Sequence, residues 1–240
     1  VNFFSARPMG EFYLWLSIFL LKVISLKNKI IVMMGVCLAA TGLNAQAADV
    51  RVKGTIAPAS CSFTIVNSVF DYGMIRPSSL SATHYTKLDK KSTPFTVKCD
   101  APTLVSIKTQ DNRASSKVPG MMRSAFNQTY VDTFNYGLGT SSKGEKVGGY
   151  VMFMANTVAD GKTVRVNGSN NNGVTWSVGD GALAQPPHLT SWASGTTTPI
   201  KLSVVSGNLQ VQGVINKTSA FSVGEGINLD GHATLELRYL

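Results

Sequence analysis

Short runs in which apolar and polar residues alternate recur from Val50 to the end of the chain. VRVKGTI (50–56) alternates Val50 and Val52 with Arg51 and Lys53. PFTVKC (94–99) puts Phe95, Val97 and Cys99 on one face. The closing GHATLELRYL sets Leu235, Leu237 and Tyr239 against Thr234, Glu236 and Arg238. A period of two is the mark of a strand with one buried face. CSFTIV (61–66), VFDYGMI (69–75) and LVSIKT (104–109) are predicted strands as well. YVMFMA (150–155) is apolar throughout and reads as a strand buried on both faces. KTVRVNGSNNNGVTWSV reads as two strands about a turn near 168–173, and PIKLSVVSGNLQVQGVI (199–215) as two more about Gly207 and Asn208. Clusters of Gly, Asn, Ser and Pro punctuate these runs. SSLSATHYTKL (78–88) could hold a short turn of helix.

Many short strands with turn signals between them predict an all-β protein, a β-sandwich. The stretch 111–149 is rich in Ser, Gly, Asn and Lys and weak in periodicity, and is expected to form long loops over that sandwich. No internal repeat is evident.

The N-terminus changes the picture of where the protein works. KNKIIVMMGVCLAATGLNAQA (27–47) has a cationic start at Lys27 and Lys29, an apolar centre, and a small-x-small end at Ala45-Gln46-Ala47. This is a secretory-signal pattern, with cleavage expected between Ala47 and Ala48. A cut after Ala40 would add TGLNAQA, which barely alternates. The apolar run falls short of the roughly 20 residues a membrane span needs. Cys37 follows the bulky Val36, which argues against a lipidated cysteine. Residues 1–26 hold a second apolar run, read as an upstream mis-start or an extended signal region, with Met9 or Leu26 marking the true start. The folded part is therefore expected to be one domain, 48–240.

The chain carries a formal net charge of +9, but its basic residues are scattered. No nucleic-acid partner is expected from that distribution. Of three cysteines, Cys37 lies in the signal. Cys61 and Cys99 remain as an even pair in an oxidising compartment and are expected to be bonded. Two cysteines at this spacing and the dispersed His84, His188 and His232 do not make a metal site, and no cofactor is implied. DNR (111–113) and GDG (179–181) offer carboxylates, but single Asp residues in turns are ordinary turn chemistry. No GxSxG, HExxH or EF-hand spacing occurs, so no enzyme is expected.

Several of these segments together resemble a chaperone–usher pilin. VKGTIAPASCSF is similar to a pilin's first strand with its cysteine, VFDYGMI to the stretch that follows, and PFTVKCDAP to the strand with the second cysteine. GHATLELRYL, with its penultimate tyrosine and Gly226 fourteen residues before the end, resembles the C-terminal pilin strand. GTIAPASC, DNRA and YGLG look closer still to a group of enterobacterial fimbrial-like proteins. The 111–200 region is longer than in a typical major pilin.

The resemblance implies an immunoglobulin-like, pilin-type sandwich lacking its final strand. It implies a periplasmic chaperone, an outer-membrane usher and other fimbrial subunits as partners, and a place on the cell surface. Leu235, Leu237 and Tyr239 would line the acceptor groove, and the Leu240 carboxylate would meet a basic anchor on the chaperone. One departure stands out. Cys61 follows the expected cut so closely that little room is left for an N-terminal donor strand. The alternative is a non-polymerising or tip-located adhesin with a complete sandwich. Trp176 and Trp192 would then be the candidates for stacking on a host glycan, or for contacting a protein receptor.

Overall fold

The computed structural model describes residues 49–56, 59–223 and 226–240. The signal segment 27–47, the 1–26 region, Cys37 and the Ala47–Ala48 cut lie outside them. The chain divides into two units, Val1–Ile56 and Ala57–Leu240. In the first, residues 49–56 form no strand. Val50, Val52 and Ile56 are 87%, 94% and 100% exposed. The alternation of VRVKGTI is real, but it is not spent on a strand of its own unit.

The second unit is almost entirely β. Its strands are β1 (Cys61–Ile65), β2 (Thr86–Lys87), β3 (Lys91–Thr103), β4 (Val105–Asp111), β5 (Tyr136–Gly137) and β6 (Gly148–Ala159). There follow β7 (Lys162–Thr163), β8 (Arg165–Ser169), β9 (Ser177–Val178), β10 (Leu189–Ala193), β11 (Leu202–Ile215) and β12 (Ala233–Tyr239). One antiparallel sheet runs β1-β3-β11-β6-β5, with β2 on β11 and β7 on β6; the other runs β12-β4-β10-β8-β9. The expected sandwich is the observed one. Phe95, Val97, Ile107, Met152, Trp192 and Val205 fill the space between the sheets.

Strand β6 is buried on both faces, as its unbroken apolar sequence predicts. Tyr150, Met152 and Met154 point into the main core. Val151 and Phe153 point the other way, into a second cluster with Met121, Met122, Tyr130 and Val214. The short helix α1 (Met121–Ala125) belongs to this second layer. The 111–149 stretch is thus more than loops, since part of it roofs the outer face of the larger sheet. Between β6 and β7, Asp160 and Gly161 take φ of 47° and 79°. Two positive values are what a two-residue type I′ hairpin requires.

Two further strand expectations need correction. PIKLSVVSGNLQVQGVI is not a hairpin, because Leu202–Ile215 is one continuous strand with an irregularity between Ser206 and Asn208. Gly207 serves close approach rather than a turn. A Cβ there would stand 2.8 Å from the Ala155 carbonyl oxygen and 3.0 Å from the Phe95 ring. VFDYGMI is not a strand either. Its Tyr72 hydroxyl donates to Val211 O and accepts from Gly213 N, at 3.2 and 3.0 Å. The segment is held to β11 by a side chain instead of a ladder. Of the expected helical turn in 78–88, a 3-10 turn at Pro77–Ser79 overlaps the start.

Candidate functional site: an open groove beside the last strand

Strand β12 pairs with β4 in unbroken antiparallel register, from Ala233↔Asp111 to Tyr239↔Val105. It lies at the end of its sheet. The His232 carbonyl accepts from Asn112 N, and Leu240 N donates to Leu104 O. In an antiparallel ladder the residues that bond a given neighbour alternate. Thr234, Glu236 and Arg238 therefore bond β4 as His232 and Leu240 do. Ala233, Leu235, Leu237 and Tyr239 turn their N–H and C=O groups to the outer edge. Among the described residues no strand meets that edge.

The side chains of the same residues face the core but do not complete it. Ala233, Leu235 and Leu237 are only half-buried. A groove of about 1020 Å³ opens beside them. Its floor is the main core seen from outside, with Leu138, Tyr150, Met152, Leu209 and Val211. One wall comes from the 65–80 stretch through Phe70 and Ile75, the other from Phe221, Ile227 and Leu229 leading into β12. Phe70, Ile75, Ile227 and Leu229 are all half-buried, packed against the core on one side only. An exposed apolar trench of this kind is the sort of surface on which a ligand or partner docks.

Polar tethers hold the walls. The wall formed by 221–223 and 226–231 is pinned at two places. The Glu145 carboxylate accepts from Ser222 N at 3.0 Å and from the Ser141 hydroxyl at 2.8 Å. Arg113 binds Asp230 through two parallel bonds of 2.8 and 3.1 Å. The backbone bond from Ser222 and the Ser141 hydroxyl hold Glu145 below the usual carboxylate range. The Arg113 guanidinium does the same for Asp230. On the opposite wall, Val66 N donates to Pro94 O and Asn67 N to the Thr93 hydroxyl.

Of the predicted groove residues, Leu235 lines the trench and Leu237 packs at the margin of the core. Tyr239 does something else. It is 54% exposed, and its hydroxyl accepts a 2.9 Å bond from Cys61 N. It therefore ties β12 to β1, across the sandwich, rather than lining the trench. The Cys61–Cys99 disulfide is present at the same end, joining directly opposed residues of β1 and β3. Leu240 turns away toward Gly173, where Leu189 and Trp176 also converge. The wall residues Phe70, Ile75, Ile227 and Leu229 are additions that sequence reasoning does not supply. Phe70 and Ile75 belong to VFDYGMI, which reads as a strand, while Ile227 and Leu229 are single apolar residues set between polar ones.

The two tryptophans do not form a shared platform. Trp192 is wholly buried and stacks on Phe95 with ring centres 6.3 Å apart. It is a core residue on a strand, which rules it out as a ligand-stacking surface. Trp176 is half-buried and donates from its indole N–H to Gly173 O at 3.0 Å. Among the described residues, no group of three or more His, Cys, Asp or Glu stands together as a metal site would need.

Fold and site together define an antiparallel β-sandwich, disulfide-closed at one end, with an unpaired edge strand above an apolar groove. A family described as "Protein of unknown function (DUF1120)" matches residues 50–151. That span runs from the exposed N-terminal alternation through the disulfide to the start of β6. Over 231 residues the chain is 25% identical to Protein GltF of Escherichia coli (strain K12), covering 80% of this chain and 88% of that one.

Proposed function

We propose that this protein is an exported, fimbrial-like structural subunit whose groove accepts a strand from another polypeptide. The observation that carries this reading is the coincidence on β12 of unpaired backbone groups and half-buried apolar side chains at the same alternate positions. An extended segment laid along the edge would bond to the backbone of Ala233, Leu235, Leu237 and Tyr239. Its own alternate side chains would enter the trench. That is strand addition, in which main-chain bonds give affinity and pockets for alternate side chains give specificity. An open edge over apolar surface is an aggregation hazard until it is covered. A periplasmic chaperone would cover it first and a neighbouring subunit later, with an outer-membrane usher between the two steps.

The sequence alone leaves little room for a donor strand. The exposure of Val50, Val52 and Ile56 supports a donor role for residues 50–56. Their spacing matches the alternate positions of β12. The signal pattern and the disulfide support export through the periplasm to the surface. The role is structural and not catalytic.

The test is reconstitution of the purified mature protein with a chaperone of the chaperone–usher type. A one-to-one complex that protects the β12 edge from hydrogen exchange is expected. A stable monomer that ignores the chaperone would refute the reading.

A further inference from the structure

Away from the groove, a polar cluster lies where the 112–135 cover meets the smaller sheet. The Asp111 side chain, at the end of β4, is fully enclosed. Its oxygens accept from Arg113 N at 2.8 Å and Gly137 N at 3.0 Å. Lys117 Nζ lies 3.6 Å from Asp111 Oδ2, with its side chain 18% exposed. The same Nζ sits 2.5 Å from the Gln185 side-chain carbonyl, Oε1. Gln185 is held in place from both ends. Its Nε2 donates to Asn135 O at 2.7 Å and its backbone N to Thr133 O at 2.9 Å. A C=O bond is roughly 1.2 Å long, so Nζ is within about 3.7 Å of the amide carbon. That is close to the separation of a near-attack arrangement. An amine, an amide carbon and an enclosed carboxylate thus share one small space.

We propose that Lys117 and Gln185 condense into an intramolecular isopeptide bond, with Asp111 moving the protons. Asp111 takes a proton from the Lys117 ammonium, leaving a neutral amine. Nζ attacks Cδ of Gln185, and the carbonyl π electrons move onto Oε1. Asp111 delivers its proton to Nε2 and receives one from Nζ. The Cδ–Nε2 bond breaks, the carbonyl re-forms, and ammonia leaves, becoming ammonium when it takes the proton back from Asp111. Nothing is oxidised or reduced, and no further reactant is consumed. Burial pulls the Lys117 amine below its ordinary range, with the nearby Asp111 acting against that shift. The nucleophilic form is therefore easier to reach than on a surface lysine. The product would join residues 68 apart in sequence, clamping the cover segment to the stretch before β10.

The mass of the intact mature chain tests this directly, measured unfolded with the disulfide retained. The expected mass is one ammonia below that of the disulfide-bonded sequence, and proteolysis should recover the Lys117 and Gln185 peptides as one branched species. Lys117→Arg and Gln185→Ala should each restore the full mass. Asp111→Asn should do so too, and an intact bond in that variant would remove Asp111 from the reaction. A native chain at full mass, or an ammonia loss mapped to other residues, overturns the proposal. Because the native protein itself carries the deciding mass, a variant that fails to fold does not blur the outcome.

Discussion

At the end of the sandwich where β1 meets β12, two residues close what the groove leaves open. The Cys61–Cys99 bond fixes β1 to β3, and the Tyr239 hydroxyl receives the Cys61 N–H. A disulfide closing a loop of this length is worth roughly 4 kcal/mol in the chain-entropy account. Cys61→Ser should lower unfolding stability by about that much in a urea titration, and a midpoint equal to the parent's would contradict it. Gly207 poses a different problem, since it has no room to grow. Gly207→Val would drive a side chain into the Ala155 carbonyl and Phe95, for roughly 1–3 kcal/mol of overpacking. The same denaturation experiment measures both. Cys61, Cys99 and Leu235 are legible in the sequence because their signals are local: an even cysteine count and a period-two strand. Trp192 and Tyr239 are not. Which way an aromatic faces depends on neighbours far along the chain, here Phe95 and the Cys61 backbone.

Among the elements, strands with clean alternation are legible and a strand with an internal glycine is not. PFTVKC and LVSIKT fall on β3 and β4, the second beginning one residue ahead of its strand. Gly207 reads as a turn in the middle of β11 because a glycine serves turns and close contacts equally well in sequence. The 111–149 cover is invisible for another reason. Met121, Met122 and Tyr130 have no periodicity of their own, and their burial is imposed by Val151 and Phe153 beneath them. Strand β12 carries the proposed function, and its two faces should answer differently to mutation. Leu235→Asp and Leu237→Asp put a charge on the groove side. Each should weaken chaperone capture roughly tenfold to a hundredfold, given roughly 1.5–3 kcal/mol for burying one such side chain. Thr234→Asp, on the opposite face, should leave capture nearly unchanged. Titrating the chaperone against the three variants tests this, and equal effects on both faces would place the interface elsewhere.

On the scale of the whole sandwich, one side is held by a continuous core and the other by tethered loops. Glu145 and Asp230 pin the wall of 221–223 and 226–231, and both have folded pKa values held below the ordinary range. A depressed carboxylate stabilises the fold at pH above its unfolded pKa, and that contribution is lost as pH falls through the folded value. The wall should therefore stay protected from neutral pH down to about pH 4, the usual carboxylate range, and loosen below it. Limited proteolysis of 221–231 against pH follows this, and loosening already at neutral pH would show that these tethers do not hold the wall. The two-sheet architecture is legible in the spacing of strands and turns. The groove is only implied, because its walls and floor come from segments far apart in the chain. The most direct measurement is amide hydrogen exchange along β12 in the mature protein, alone and with a chaperone of the chaperone–usher type. The account predicts slow exchange at Thr234, Glu236 and Arg238 in both states. Leu235, Leu237 and Tyr239 should exchange fast alone and slowly in the complex. Equal protection of both sets in the free protein would mean that the edge is already paired, and the acceptor role would fall.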